Sequence, residues 1–301
     1  MREIKTVTHL NLGDNIYYVH LFRKIIDQYQ GNIRFIHHLH ERYIKELSNF
    51  IKGYEENIIF KDIMQYTIDY IIPLEMAKIP GWFLPYDKMI EYHRNDSEGK
   101  LSILLYGDSE HWVKNHPNEP GLMDSINFDD ILLRQFTQFC EFMKVECPIK
   151  TVNDTLLDMP ELLENNVLTD NYDILIGNSK PMSSQWAYNT YVFDYILDRI
   201  DLSKVKVISL EPTNRSEIPS TIENGLNLIE IGNISINSKV IIGVHSSPYT
   251  TLINKYNHMN NEFVVLQNWG KFRYSNANSV NYSTEDEFVN NYKIPLNWCK
   301  I

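Results

Sequence analysis

At 301 residues, 43% of them hydrophobic, the chain is long enough for a large core and, by length alone, for about two domains. A formal net charge of −11 and a pI near 5.4 argue against nonspecific nucleic-acid binding, which depends on Lys and Arg set against phosphates. The three cysteines, Cys140, Cys147 and Cys299, form no C-x-x-C pair, so neither a zinc site nor a disulfide framework is indicated and idle thiols in a reducing compartment are expected.

The chain opens with strand and helix patterns in alternation. Residues 6–10 predict a strand and 11–15, Asn-Leu-Gly-Asp-Asn, a turn. Ile16, Val19, Phe22 and Ile26 fall at helical spacing, so 16–29 predicts a helix that Gly31-Asn32 stops. A second strand over 33–37 and a second helix over 41–52 complete β-α-β-α, the pattern of a parallel doubly wound sheet. From 54 to 120 the pattern is less regular. Residues 58–70 alternate, 80–85 form an aromatic loop, and 101–106 make a buried strand that ends in Gly107-Asp108-Ser109-Glu110-His111-Trp112. Residues 127–145 predict an amphipathic helix with Phe128, Ile131, Leu132, Phe136, Phe139 and Met143 on one side, capped by Asp124 or Ser125.

The stretch 151–170 is polar and acidic and contains Pro160. A domain boundary is placed there, giving domains 1–165 and 166–301. Periodicity then restarts: strand 172–176, helix 186–200, strand 205–210, a short strand 226–231, a helical turn 234–238, strand 240–244, helix 249–256 and strand 263–266. The expected fold is α/β, two Rossmann-like doubly wound domains facing each other across a cleft. The N-terminus lacks the long apolar region of a signal peptide. No run of about 18 apolar residues is present to span a bilayer. A cytoplasmic protein without a transmembrane segment is expected.

One stretch stands out chemically: Lys239-Val-Ile-Ile-Gly-Val-His-Ser-Ser-Pro-Tyr-Thr250. It reads as a buried strand that stops at Gly243 and opens into a polar turn before a helix. In open α/β sheets, ligands sit outside the carboxyl ends of the strands. A turn of His245, Ser246 and Ser247 before a helix start offers N–H groups and hydroxyls to an anion such as a phosphate. An ordinary βα loop with a Ser N-cap fits the same residues. The run His37-His38-Leu39-His40 puts His38 and His40 on one face of a strand, but no third ligand of suitable spacing follows, and no metal site is expected.

These residues resemble the heptosyltransferase-like glycosyltransferases of glycosyltransferase family 9, which have the two-domain GT-B fold. Asn11-Leu-Gly-Asp14 followed by a helix looks like the Gly-Asp turn that opens their acceptor domain. Ile174-Leu-Ile-Gly-Asn-Ser-Lys-Pro-Met-Ser-Ser-Gln-Trp186 resembles the opening strand and phosphate loop of their donor domain. Ser238-Lys-Val-Ile-Ile-Gly-Val-His-Ser-Ser-Pro248 resembles a later donor-domain strand and turn. Two positions depart from the family pattern: His245 stands where the family has Asp, and Ser247 where it has Gly.

The resemblance implies transfer of a sugar from a nucleotide-sugar to a glycan or lipid-linked sugar acceptor. The first domain would bind the acceptor and the second the nucleotide-sugar, with no further cofactor. Asp14 would take the proton of the acceptor hydroxyl; as a plain alternative, it N-caps the following helix. Lys180 would neutralise the leaving diphosphate or sit solvated on the surface. Gly243, His245, Ser246, Ser247 and Ser179 would share in phosphate binding. Glu211 and Asn214, at another strand end, are donor-side candidates. Gly13, Asn15, His38, Asp108 and His111 are acceptor-side candidates. No Asp-x-Asp is present to hold a divalent ion on a diphosphate, which suits metal-independent transfer. A homodimer is compatible with the sequence, and no nucleic-acid partner is expected.

Two other functions fit parts of the pattern. Polysaccharide pyruvyl transferases also resemble GT-B proteins, begin with an Asn-x-Gly-Asp turn, carry a His after an apolar strand and use phosphoenolpyruvate. A GT-B-like scaffold without catalysis would bind glycans or a partner protein.

Overall fold

The computed structural model describes residues 1–8, 12–62, 103–104, 128–159, 171–180, 191–244, 246–266, 274 and 276–300. They fall into two compact units, Met1–Pro120 with Ile131–Thr151, and Gly121–Asp130 with Val152–Ile301.

The first unit is built on strands β1 (Arg2–Val7), β2 (Ile33–Leu39), β3 (Ile58–Asp62) and β4 (Ile103–Leu104). Among the described residues they form one sheet in the order β3-β2-β1-β4, with every pairing parallel. Helix α1 (Leu12–Gln28) links β1 to β2, and α2 (Glu41–Leu47), extended by a 3₁₀ turn over Ser48–Ile51, links β2 to β3. Phe22 of α1 stacks on Phe35 of β2 at 4.2 Å between ring centroids. Ile16, Leu21, Phe22 and Ile25 are fully buried, so α1 is held to the sheet by its apolar stripe. At its end, Gly31 N–H bonds the Ile26 carbonyl at 2.9 Å with φ of 75°, a left-handed helix stop that glycine adopts without a Cβ clash.

Two expectations for this unit need correction. The first strand runs over Arg2–Val7 instead of 6–10, in register from Arg2 opposite Ile33 to Val7 opposite His38. Its charged start has a use: the Arg2 guanidinium donates to the Met143 and Lys144 carbonyls at 2.6 and 3.0 Å. Those groups close α3 (Phe128–Met143), where a cation satisfies orphan carbonyls. The predicted turn at 11–15 is already helical from Leu12, because an acid in the first turn is favoured by the helix dipole.

The second unit contains β5 (Tyr172–Gly177), α4 (Tyr191–Arg199), β6 (Val207–Ser209), α5 (Leu228–Ile236), β7 (Ser238–Val244), α6 (Ser247–Leu252), β8 (Glu262–Leu266), β9 (Ser279–Tyr282) and α7 (Glu285–Asn291). The described strands form a parallel sheet in the order β6-β5-β7-β8-β9. One face packs Ile174, Ile176, Ile242 and Val264 against Val192, Phe193 and Ile196 of α4 and Phe288 of α7. On the alternate positions Leu175, Ile241 and Phe263 are fully buried too. Burial on both faces explains the unbroken apolar runs, since an all-parallel sheet is covered on both sides.

The predicted strand 226–231 and helical turn 234–238 are replaced by the single helix α5. Asn227 accepts from Ile229 N and Glu230 N, while the Glu230 carboxylate accepts from Asn227 N at 2.7 Å. This reciprocal cap over Asn-x-x-Glu overrides the strand preference of the Ile-rich run behind it.

Candidate functional site

The topology picks out one crevice in each sheet. In the second unit β6 lies on one side of β5 and β7 on the other, so the chain reverses its direction of travel between β5 and β7. Ligands of doubly wound sheets bind outside the carboxyl ends of the strands at such a point. The residues there are Gly177, the last of β5, with Asn178-Ser179-Lys180 after it, and Gly243-Val244, the last of β7, with Ser246-Ser247 after it. Sixty-seven residues apart in sequence, Ser179 Oγ and Ser246 Oγ are hydrogen-bonded at 2.9 Å, and both side chains are buried. Ser246 occupies the N-cap position of α6, yet its side chain makes no capping bond. Its hydroxyl is committed to Ser179 instead. A hydroxyl pair uses one hydrogen between its two oxygens and has a second to offer an anionic oxygen. Lys180, exposed, follows directly.

Asn178 sets the spacing of the neighbouring strand end. Its amide donates to the Glu211 carbonyl at 2.9 Å and accepts from Glu211 N at 2.8 Å. Both backbone groups of Glu211 are thereby fixed, a role that sequence inspection missed because it needs the β5–β6 register.

Close backbone approach holds the β5 and β7 loops together. Gly177 and Gly243 are register partners. A Cβ on Gly243 would lie 2.7 Å from Gly177 Cα, 2.8 Å from Gly177 O and 2.8 Å from Tyr249 Cδ2. Tyr249 of α6 is fully buried over this pair and its hydroxyl donates to Val264 O at 3.4 Å. Burial pushes its phenol far up, so it stays protonated. Because two of the three close atoms are backbone, Gly243→Ala is expected to destabilise by about 1–3 kcal/mol through overpacking. Urea unfolding of the variant beside wild type measures it, and an unchanged midpoint would show that the loops relax without cost.

In the first unit the reversal lies between β1 and β4, with β2 and β3 on the other side of β1. The chain leaves β1 and enters α1, whose first turn carries Gly13, Asp14 and Asn15. A buried polar chain pins that turn to the strands. His37 of β2 is fully buried beneath α1, edge-on to Phe22 at 5.3 Å between centroids. Its Nδ1 is 2.8 Å from Thr6 Oγ1 and its Nε2 is 3.0 Å from Asn15 Oδ1. Burial first, and the neighbouring His38 second, hold the imidazole down to about 3. The ring is therefore neutral at ordinary pH. Nε2–H donates to the Asn15 carbonyl oxygen, and Nδ1 accepts from the Thr6 hydroxyl. Asp14, next in the chain, is half-buried at the helix start.

The structure thus brings Ser179, Lys180, Gly243, Ser246 and Ser247 to one strand-end crevice, with Glu211 at the adjacent strand end. Asn214 is exposed in the loop beyond. Arg215 in that loop is paired with Asp198 of α4. Gly13, Asp14 and Asn15 share the first turn of α1. Asn15 has no exposed surface, and His38 is buried with Nδ1 3.3 Å from the Thr6 carbonyl. Thr6 was missed as part of this group, and His37 was not assigned this supporting role. The alternation Ile33, Phe35, His37 was the available signal, since it puts His37 on the face those apolar residues bury. Asp108, His111 and His245, the cap at Asp124 or Ser125 and the loop at 80–85 lie outside the described residues. Among the described residues, no group of three or more His, Cys, Asp or Glu is placed to hold a metal ion, and no helix is long and apolar enough to cross a membrane.

Comparison with solved structures adds the following. The chain is similar to glycosyltransferases. With the E. coli heptosyltransferase WaaC, solved with ADP-2-deoxy-2-fluoro heptose, it shares 10% identity over 96% of each chain at a TM-score of 0.47. With a glycosyl transferase family 9 protein from Veillonella parvula it shares 13% identity over 95% of this chain and 86% of that one, at 0.47. With the E. coli ADP-heptose LPS heptosyltransferase II the values are 11%, 94%, 90% and 0.43. No protein-family model matches the sequence, and no curated protein does.

Proposed function

We propose that this protein is a glycosyltransferase that moves a sugar from a nucleotide-sugar to a hydroxyl of a glycan or lipid-linked sugar. The observation that carries the proposal is the buried Ser179–Ser246 hydroxyl pair at the β5/β7 crevice, followed by an exposed lysine. Two hydroxyls and an ammonium at the carboxyl ends of parallel strands suit the oxygens of a diphosphate. The sequence pattern around Ile174–Trp186 and Ser238–Pro248 agrees with that assignment.

Asp14 accepts the proton of the acceptor hydroxyl as its oxygen attacks the anomeric carbon. The bond from that carbon to the diphosphate breaks, and the departing oxygen gains negative charge. Lys180, Ser179, Ser246 and Ser247 stabilise that charge where it develops. Gly243 keeps the loop close enough for backbone N–H groups to contribute, and His245 is a further phosphate-side candidate. Asn178, through Glu211, fixes the strand end beside the nucleotide, with Asn214 beyond it. The first-unit candidates Gly13, Asn15, His38, Asp108 and His111 belong to the acceptor side, Asn15 as a support of the helix start. The scheme assigns the leaving-group charge to side chains and not to a metal ion, so turnover is expected to be the same with and without a chelator. A chelator-sensitive rate restored by a divalent cation would contradict that point.

Nucleotide binding tests the donor side. A calorimetric panel of nucleoside diphosphates and their sugars is expected to find a binder. Loss of a hydrogen bond to a charged oxygen is worth about 1.5–3 kcal/mol, so Ser246→Ala is expected to weaken that binder by about 10- to 100-fold. Binding of phosphoenolpyruvate in place of every nucleotide would replace the reading with pyruvyl transfer.

A further inference from the structure

After β6 the chain loops back and passes that strand a second time. Ser220 pairs in parallel with Ser209, so the segment runs in the direction of β6 and reaches Ile222 at the strand's carboxyl end. Thr221 N donates to Ser209 O at 2.8 Å, and the Leu210 carbonyl accepts from Thr221 Oγ1 at 2.9 Å and from Ile222 N at 3.1 Å. A tight turn follows. Leu226 N donates to Thr221 O and Gly225 N to Ile222 O, both at 3.0 Å, with Gly225 at a φ of 67°, a left-handed stop open to a residue without a Cβ. Ser220 Oγ donates to the Glu223 carboxylate at 2.6 Å, and Asn224 Nδ2 to the Ser220 carbonyl at 2.7 Å. These bonds leave the turn little freedom, and its apolar member Ile222 is 63% exposed.

One exposed isoleucine is ordinary on a protein surface. This one is set apart by what it is tied to. Leu210, which holds Ile222, donates its N–H to the Ile176 carbonyl of β5 at 2.9 Å. Glu211, the next residue, is fixed through its N–H and carbonyl to the Asn178 side chain. Asn178 precedes Ser179, whose hydroxyl pairs with that of Ser246. A run of hydrogen bonds and adjacent residues therefore leads from the Ile222 turn to the paired hydroxyls. All of it lies at the carboxyl ends of the neighbouring strands β6, β5 and β7, where ligands of such sheets bind.

We infer that Ile222 is an apolar platform for the nucleobase of the donor. The inference rests on the nucleotide-sugar reading and names the part of the donor that lies towards β6. Two strand spacings of about 4.8 Å each separate β5 from the segment that carries Ile222, a span that a ribose bridges between a phosphate and its base. The chemistry of the turn suits a flat ring. The N–H and carbonyl of Ile222 and of Thr221, and the Ser220 carbonyl, are already bonded within the turn or to β6. What the turn offers a base is therefore apolar area, and every base has a ring face to lay on it. Because the side chain stands on a turn that is already fixed, little freedom is lost when the base covers it.

Calorimetric titration of the tightest-binding nucleoside diphosphate, and of inorganic pyrophosphate, into the full chain and its Ile222→Ser and Ile222→Leu variants tests this. Ile222 is exposed, so both variants are expected to melt like wild type. Ile222→Ser is expected to weaken the nucleoside diphosphate by about 5- to 10-fold, the worth of the apolar area that one face of an aliphatic side chain covers. Pyrophosphate, which has no base, is expected to bind this variant as it binds wild type. Ile222→Leu keeps the apolar area and is expected to hold the nucleoside diphosphate at the wild-type affinity. Equal nucleoside diphosphate affinity in Ile222→Ser and wild type would overturn the inference and leave the donor reading standing. So would an equal loss for pyrophosphate, which would mean that the turn acts on the phosphate loops and not on the base, or an equal loss in Ile222→Leu. A wild-type chain that binds no nucleoside diphosphate fails the donor reading itself and takes the inference with it.

Discussion

Asp14→Asn is expected to lower turnover of the bound nucleotide-sugar by about 10²–10⁴-fold, the range by which a positioned general base accelerates proton transfer, while nucleoside diphosphate affinity stays at the wild-type value. The substitution keeps the size of the side chain and removes its charge and, with it, the ability to take a proton. Asp14 sits in the first turn of α1, where losing the charge costs the helix about 0.3–1 kcal/mol, too little to unfold the chain. Folding and chemistry therefore separate. A variant that melts like wild type and turns over slowly marks Asp14 as the base. Equal turnover in variant and wild type would return Asp14 to a structural role at the helix start.

The second large effect is on stability. His37 is fully buried and its imidazole is held down to about 3 from an ordinary value of 6.5. Between those values the unfolded chain binds a proton that the folded chain refuses. Stability from this group is therefore complete above pH 6.5 and falls as pH drops towards 3, by about 1.4 kcal/mol per pH unit. The total is on the order of 5 kcal/mol, a large share of what a domain has. Carboxylates such as Asp201, held down to about 2 by Ser203 and Lys204, lose their contribution only at lower pH. Denaturant unfolding at a series of pH values between 7 and 4 measures the slope, with His37→Gln as the partner experiment. The variant is expected to be less stable at pH 7, because Thr6 and Asn15 lose a well-placed partner, and to have a flatter slope. A slope equal to that of wild type would mean that His37 accepts its proton inside the fold.

What the sequence made legible follows from local chemistry. Val240–Ile242 and Ile174–Ile176 are apolar runs ended by Gly243 and Gly177, and a parallel strand covered on both faces has that signature. The polar residues just after each run were therefore placed at the right end of the right strands. α5 was misread because its Ile-rich run looks like a strand until the Asn227–Glu230 cap is weighed. β9 was missed because Ser279-Val-Asn-Tyr282 is short and polar, and its strand form depends on pairing with β8 and on Tyr282 packing against Phe288 of α7; α7 was missed with it.

The site shows the same division. Ser179 and Ser246 could each be nominated from their own loops, but the bond between them depends on β5 and β7 being neighbours, which no local pattern encodes. The supporting role of His37 was not legible for a similar reason. The partners of His37 lie 31 and 22 residues away in Thr6 and Asn15, and only the parallel β1–β2 register brings them together.

The most direct test of the central claim, that the β5/β7 crevice holds a diphosphate through its paired hydroxyls, is a calorimetric titration of the tightest-binding nucleoside diphosphate into wild type and the Ser179→Ala/Ser246→Ala double variant. The account gives one-site binding to wild type and a loss of at least about 10-fold in the double variant. Equal affinity in both proteins, or no nucleoside diphosphate bound by wild type, would contradict it.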